Sequence, residues 1–263
     1  MPIPSFLINL DRCSDRLGMM NDRFSQLGLG CERVQAVDGK TLDDADIAAV
    51  RVTVPGWIPL SAAEVACFLS HRKCWELIVA RQDAYGCIFE DDVLLSPRLS
   101  VFLSDARWIP DDADIVKIET LEERVWIDAA AAAYPVAGFE LHRLRSMHSG
   151  AAGYILSRDV AARLLALTRR FSVAADFAIF HPAYGIANRM TIYQLRPALC
   201  IQAKQHFPQD APDQMGTTIQ ERGHFQREGW LARRAHWAER EGRKLWHRLN
   251  RRERTVVEFD GCE

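Results

Sequence analysis

Residues 86–93 read Gly86-Cys87-Ile88-Phe89-Glu90-Asp91-Asp92-Val93. A short apolar run ending in three carboxylates is the signature of a buried strand that leaves the core at a polar edge. Three adjacent like charges at a partly desolvated strand end repel one another, and a bound cation removes that cost. In open α/β sheets, ligands bind beyond the carboxyl ends of the strands, where this cluster would lie. Glu90, Asp91 and Asp92 are therefore the candidate metal ligands. Their oxygens suit Mg²⁺ or Mn²⁺ bridging a pyrophosphate, although a solvated turn would show the same residues.

Working outward, the run at residues 6–10 predicts a first strand, closed by the polar turn at 11–15. A helix is expected over 16–27, ended by Gly28 and Gly30, then a second strand over 31–37 ended by Asp38-Gly39. Residues 40–60 read as an irregular, partly helical excursion broken by Pro55, Gly56 and Pro59. Ser61 and Glu64 form a capping box that starts a helix running to about residue 85, with Gly86 as its end. Further strands are expected at 114–118, 141–144, 152–156, 192–194 and 199–202, with a helix capped by Ser157 running to about 167. Residues 120–140 show no steady period and predict a variable loop or lid. The alternation of strands and helices predicts a doubly wound α/β sheet.

The chain has 263 residues, 48% hydrophobic and 26% charged, which excludes disorder and little else. Seven scattered cysteines without a CxxC pair indicate neither a disulfide framework nor a zinc ribbon, and predict a reducing, cytoplasmic setting. The apolar start is too short and lacks the leading basic residues of a signal peptide, and no run approaches the ~20 residues that span a bilayer.

Charge is uneven. Of 33 Lys/Arg and 35 Asp/Glu, eleven and four fall within 222–254, so the body keeps 22 basic and 31 acidic residues. Leu231, Ala235, Ala238, Gly242, Leu245 and Leu249 align on one helical face, flanked by Trp230, Trp237 and Trp246. The expected division is a catalytic domain over 1–221 and a basic amphipathic helical arm over 222–263. Residues 222–254 would either make peripheral contact with the inner membrane face or pack on protein.

An ordered set of motifs resembles glycosyltransferase family 25, the lipopolysaccharide and lipooligosaccharide biosynthesis transferases related to collagen galactosyltransferases. It comprises Ile8-Asn9-Leu10-Asp11-Arg12 with Arg16, Ala36-Val37-Asp38-Gly39, Cys67-Phe68-Leu69-Ser70-His71 with Trp75, Glu90-Asp91-Asp92-Val93, Gly153-Tyr154-Ile155-Leu156-Ser157, Asp176, and Pro197-Ala198-Leu199-Cys200-Ile201-Gln202. The resemblance covers about residues 5–205. It implies a GT-A type, Rossmann-like open mixed sheet flanked by helices, a UDP-sugar donor (usually UDP-galactose), a divalent metal and inversion at the anomeric carbon. The partners it implies are a nucleotide-sugar donor and a glycan or glycolipid acceptor, with no nucleic acid.

By the same resemblance Asn9, Arg12, Arg16, Asp38, Ser70 and His71 line the donor pocket. Arg12 and Arg16 offer forked donors to phosphate, and the Asp38 carboxylate suits ribose hydroxyls. Arg12 and Arg16 would otherwise be an exposed helix start, and Asp38 simple turn chemistry. Glu64, Phe68, His71 and Trp75 share a helical face, which would place His71 near the donor phosphates, although a helical histidine is as readily a packing residue. Inverting transfer needs a base at the acceptor hydroxyl. Asp176, in an apolar setting where burial strengthens a carboxylate as a base, is the candidate, with His181 as rival and helix capping as the alternative role. His148 and His206 could complete the metal shell, but the family pattern blurs over Ala203-Lys204-Gln205, and His206 is left out of the candidate site. Two competing functions share this chemistry: a catalytically silent nucleotide-sugar-binding protein, and a metal-dependent phosphohydrolase.

Overall fold

The computed structural model describes residues 1–182, 187–206 and 249–261. Its frame is a seven-stranded mixed sheet built on β1 (Ser5–Asn9), β2 (Glu32–Gln35), β3 (Tyr85–Glu90), β5 (Ile115–Lys117), β8 (Glu140–Arg143), β9 (Gly153–Ser157) and β10 (Ile192–Arg196), in the order β2-β1-β3-β9-β5-β10-β8. β1 runs parallel to β2 and β3, and β10 parallel to β5, whereas β9 is antiparallel to both β3 and β5. The expected mixed α/β architecture is present.

Strand alternation decides what each face buries. Phe6, Ile8 and Ile88 point into one apolar cluster, with α3 (Ala62–Ala80) and α5 (Arg158–Leu167) laid over it through Phe68, Trp75, Ile78, Val160 and Leu164. Leu7, Cys87 and Phe89 point into the other cluster, covered by Met20 and Phe24 of α1 (Ser14–Gln26) and by Phe102 of α4 (Leu99–Leu103). Helices therefore cover both faces, and the strands are apolar on both sides.

The capping box forms as read. Ser61 Oγ accepts from the Glu64 amide (3.3 Å) and Glu64 Oε2 accepts from the Ser61 amide (2.7 Å). Ser157 caps α5 by accepting from the Val160 amide. Residues 40–60 contain one short helix, α2 (Asp44–Val50), with its own capping box from Asp43.

Three expectations are corrected. α3 stops at Ala80, five residues short of the expected end, where the backbone turns extended at Arg81, whose side chain pairs with Asp83 and Glu32. Gly86 consequently lies inside β3, where a Cβ would stand 2.5 Å from the Ile78 side chain, so it permits close packing of helix on strand and ends no helix. The segment at 120–140 is no plain loop: it contains β7 (Arg124–Asp128), whose Val125 and Ile127 are buried.

The partner of β7 comes from the far end of the chain. β12 (Arg252–Val256) pairs antiparallel with β7, from Arg252↔Asp128 to Val256↔Arg124. Most of the expected helical arm lies outside the described residues, including all but the last part of 222–254, and so does its membrane contact. Its described end is a strand packed on the body, a departure from the helical reading of 222–263. Val257 is fully buried and its carbonyl accepts from Thr120 Oγ1 (2.6 Å). Val257→Asp should therefore lower stability by about 3 kcal/mol or more, the cost of an uncompensated buried charge. That corresponds to about 6 °C or more in a thermal melt. An unchanged melting temperature would mean that this strand adds nothing to the fold.

Among the described residues, no helix is long and apolar enough to cross a membrane.

Candidate functional site

Because β1, β2 and β3 are parallel, their carboxyl ends meet at one edge of the sheet. The pairing Ile8↔Glu90 brings Asn9 alongside Asp91, and Asn9↔Gln35 brings the segment after β2 to the same edge. Behind this edge stands the first half of α3. The resulting cavity, about 370 Å³, is lined by residues of all these elements, including Arg12, Arg16, Asp38, Cys67, Ser70 and the three acids 90–92.

The acids do not act as one unit. β3 ends at Glu90 and the chain turns, so Asp91 and Asp92 face α1 together while Glu90 faces α3. Arg16, buried in α1, lies 3.3 Å from Asp91 Oδ1 and 3.9 Å from Asp92 Oδ2. Asn9 Nδ2 donates to Asp91 Oδ2 (2.6 Å) and to the Cys13 carbonyl (2.9 Å), while Asn9 Oδ1 accepts from Arg33 Nε (3.0 Å). The turn is anchored from behind by the Ala203 amide of α7 (Ala203–His206), which donates to the Asp92 carbonyl.

Burial raises the Asp91 pKa, against the opposing pull of Arg16 and Asn9. Asp92 is raised well above the carboxylate range, first by burial and then by Glu90, with Arg16 opposing. Among the described residues its Oδ1 is buried without a hydrogen-bond partner. A buried, orphaned carboxylate oxygen beside two more carboxylates suits a hard divalent cation, whose charge would offset both burial and repulsion.

Glu90 belongs to a different network. His71, fully buried on α3, places Nε2 3.2 Å from Glu90 Oε1 and Nδ1 3.0 Å from the Tyr154 hydroxyl, which also accepts from Trp75 Nε1 (2.9 Å). One directional assignment satisfies every group: Trp75 N–H to the Tyr154 oxygen, Tyr154 O–H to His71 Nδ1, and His71 Nε2–H to Glu90. Cys67, one turn before His71, brings Sγ to 4.0 Å from Glu90 Oε1. Its thiol is pushed well above the ordinary range, first by burial and then by the charges of Glu90, Asp176 and Asp92.

The remaining expected residues divide. Arg12 and Asp38 pair with each other at the exposed rim, and Asp38 also accepts from the Lys40 amide (2.9 Å). Those contacts hold Asp38 below its ordinary pKa, the Lys40 amide first. Ser70 lines the cavity and also serves the scaffold: its hydroxyl donates to the Ala66 carbonyl (2.8 Å) and accepts from the Val37 amide (2.9 Å), fixing the segment after β2 against α3.

Asp176 is half-buried in the first turn of α6 (Ala175–Phe180). Its Oδ1 accepts from the Phe177 amide (2.8 Å) and its Oδ2 from the Gly150 amide (3.1 Å). It thus serves the helix start and also ties α6 to the loop before β9. His181 stacks on Phe177 at 4.4 Å, and burial holds it below the ordinary histidine range.

The two remaining histidines have these contacts. His148 is fully buried with Nδ1 at 2.7 Å from Gln194 Oε1 and Nε2 accepting from the Leu121 amide, and its pKa is lowered to about 3, mainly by burial. His206 packs against the Phe259 ring.

Two residues absent from the expected site lie behind it. Lys117 and Glu119 form a fully buried ion pair (2.9 Å), with Glu119 Oε2 also accepting from the Ala152 amide and Oε1 without a partner among the described residues. The signal was weak but present: Glu119 follows an apolar strand, as Glu90 does. Gly150 sits at φ +83°, where a Cβ would stand 2.4 Å from Glu119 Oε1. Gly150→Ala should therefore destabilise the protein by about 2 kcal/mol or more, through backbone strain and displacement of a pinned carboxylate. Chemical denaturation measures this, and a loss within error would show that the loop relaxes freely.

Known proteins place this architecture. The family model described as "Glycosyltransferase family 25 (LPS biosynthesis protein)" matches residues 2–179. The lacto-N-neotetraose biosynthesis glycosyltransferase LgtB of Neisseria gonorrhoeae is 34% identical over 209 residues, covering 73% of this chain and 70% of that one. The lipooligosaccharide biosynthesis protein lex-1 of Haemophilus influenzae is 32% identical over 155 residues, covering 56% of this chain, which spans only 51% of that relative. Among solved structures, the inositol-1-phosphate CTP transferase from T. maritima superposes with a TM-score of 0.37 at 11% identity, covering 76% of this chain and 70% of that one, and nothing about function follows from so distant a likeness. With the family model spanning all three strand ends, the acid turn and α3, the chain belongs to glycosyltransferase family 25.

Proposed function

We propose that the protein is an inverting, metal-dependent glycosyltransferase of GT-A type that moves a hexose, galactose first among the candidates, from a UDP-sugar to a saccharide acceptor in lipooligosaccharide or related cell-surface glycan synthesis. The observation that carries this reading is the buried pair Asp91–Asp92 at the cavity, with Asp92 Oδ1 orphaned. Mn²⁺ or Mg²⁺ held there would neutralise charge on the departing diphosphate.

The chain's own residues do the rest. Arg16 and Asn9 hold Asp91 and Asp92 in place against their repulsion. Asp38 and Arg12, freed from one another at the rim, are placed for ribose hydroxyls and for phosphate respectively. Ser70 keeps the Asp38 segment in register, and His71 aims Glu90. Asp176, oriented by two backbone amides, takes the proton of the acceptor hydroxyl as that oxygen attacks the anomeric carbon from the face opposite the diphosphate.

The test is a donor screen with UDP release as readout, with and without Mn²⁺ and with and without glycan acceptors. Acceptor-stimulated, Mn²⁺-dependent release from one UDP-hexose is expected. Donor binding without any turnover would establish a silent binder, and absence of both would end the reading. The basic segment 222–254 would bring the enzyme, in the cytoplasm, to an anionic membrane surface carrying a lipid-linked acceptor. Salt-sensitive co-sedimentation with anionic vesicles, lost on truncation after Glu221, is the expected result, and equal sedimentation of both forms would sink it.

A further inference from the structure

The three side chains that meet on the α3 side of the cavity are not a hard-cation set. Cys67 Sγ, His71 Nε2 and Glu90 Oε1 all lie within 4.8 Å of one another, the histidine–glutamate pair at 3.2 Å and the cysteine–glutamate pair at 4.0 Å. A tetrahedral zinc ion bound to sulfur, nitrogen and oxygen sets its ligands about 3.3–3.7 Å apart, so sub-ångström to ångström adjustments close the shell. We propose that Cys67, His71 and Glu90 form a binding site for a thiophilic divalent cation, Zn²⁺ before the harder ions, beside the oxygen-only pair Asp91–Asp92.

Four features of the site support this. Cys67 and His71 stand at i and i+4 on one helix, the spacing by which helical zinc ligands share a face. Glu90 comes from the facing strand end, so the three ligands converge from two rigid elements. Cys67 and Glu90 also line the cavity, which leaves the fourth position open to water or a ligand. The second ring nitrogen of His71 faces the Tyr154 oxygen at 3.0 Å, supplying the outer partner that metal-bound imidazoles use.

On binding, the cation replaces the hydrogen bond between His71 Nε2 and Glu90. The imidazole proton moves to Nδ1, the Tyr154 hydroxyl rotates its own proton away from that nitrogen and its oxygen accepts from Nδ1–H beside the Trp75 N–H, and the Cys67 thiol releases its proton to solvent. Softness separates the two sites: sulfur and imidazole favour Zn²⁺, whereas a carboxylate pair favours Mg²⁺ or Mn²⁺.

Cobalt(II) reads this site directly, because a thiolate ligand gives it a near-ultraviolet charge-transfer band that oxygen-only sites lack. The full-length, reduced protein titrated with Co²⁺ should develop such a band at one equivalent, and Zn²⁺ should abolish it. In Cys67→Ser the band should vanish, and Zn²⁺ affinity measured calorimetrically should fall by about 100-fold or more, beyond the loss of a mere outer partner. A zinc-dependent rise in melting temperature, present in the wild type and absent from Cys67→Ser, reports the same binding without relying on the spectrum. No band in the wild type, or an undiminished band in Cys67→Ser, would overturn the proposal, the latter by placing the cation on another thiol. None of these readouts involves sugar transfer, so failure here is distinguishable from failure of the transferase reading.

Discussion

Replacing Asp92 by Asn is expected to lower the rate of sugar transfer by about 1000-fold or more, while leaving the metal-free protein at least as stable as the wild type at neutral pH. The rate loss follows from the role: a metal contributes several kcal/mol of transition-state charge stabilisation, and about 4 kcal/mol corresponds to about three powers of ten. The stability statement follows from the environment. Burial and the neighbouring Glu90 raise Asp92 well above the carboxylate range. In acid, below the ordinary aspartate pKa, the group is protonated whether the chain is folded or not and costs nothing. As pH rises from that point through the raised folded value, the unfolded chain gives up the proton first, and the folded state loses stability. Asn has no such dependence. The variant should therefore match the wild type in acid and equal or exceed it near neutrality, a trade of stability for function common at active sites. Thermal melts across pH, with and without Mn²⁺, check this: Mn²⁺ should raise the wild-type melting temperature and leave the variant unmoved. Transfer at the wild-type rate with saturating donor would remove Asp92 from the metal site.

The same residues show where sequence reading reaches and where it stops. Local signals carried well: the capping box of Ser61 and Glu64, the cap at Ser157, and the buried strand through Cys87-Ile88-Phe89 all appear where residue chemistry placed them, although that strand ends at Glu90 and does not run on through Val93. Each depends on neighbours within a few positions. What depended on distant pairing did not carry. Val125-Trp126-Ile127 is a β-favouring run, but it is short and set in a stretch with no steady period, and the partner that makes it a strand lies over a hundred residues away at 252–256. The acid cluster was legible as a cluster, but its division was not. That Glu90 turns to His71 while Asp91 and Asp92 turn to Arg16 follows from the helices on either side of the strand. Ser70 illustrates the same limit from the other direction. A hydroxyl in a cavity wall reads as a ligand contact, and Ser70 does line the cavity, but its proton and one of its lone pairs are used by backbone groups that the sequence does not reveal. Arg12 and Asp38 were each read toward the donor, and their mutual pairing came only with the fold.

Asp176→Asn is the second large effect, and it separates the two roles that the structure gives one carboxylate. As the general base, Asp176 acts only when the acceptor oxygen begins to bond, so its loss should lower kcat by about 100- to 10,000-fold. Donor affinity should hardly change, because the donor is bound before the proton moves. As a structural group, Asp176 accepts from the Phe177 amide through one oxygen and from the Gly150 amide through the other. Asn keeps a single carbonyl oxygen and therefore retains one of these bonds. Losing the other costs about 1 kcal/mol, which a thermal melt reads as a few degrees at most. The two roles thus predict different patterns: a large fall in kcat with a preserved donor dissociation constant for the base, or a loss of donor affinity accompanied by those few degrees of melting temperature for the scaffold. Because Gly150 also packs against Glu119, loss of the Asp176–Gly150 bond alone would loosen the loop that lies against the Glu119 carboxylate. Direct calorimetric titration of UDP-sugar into Asp176→Asn, set beside its turnover, decides between them, and wild-type turnover in the variant would assign the proton transfer to another group.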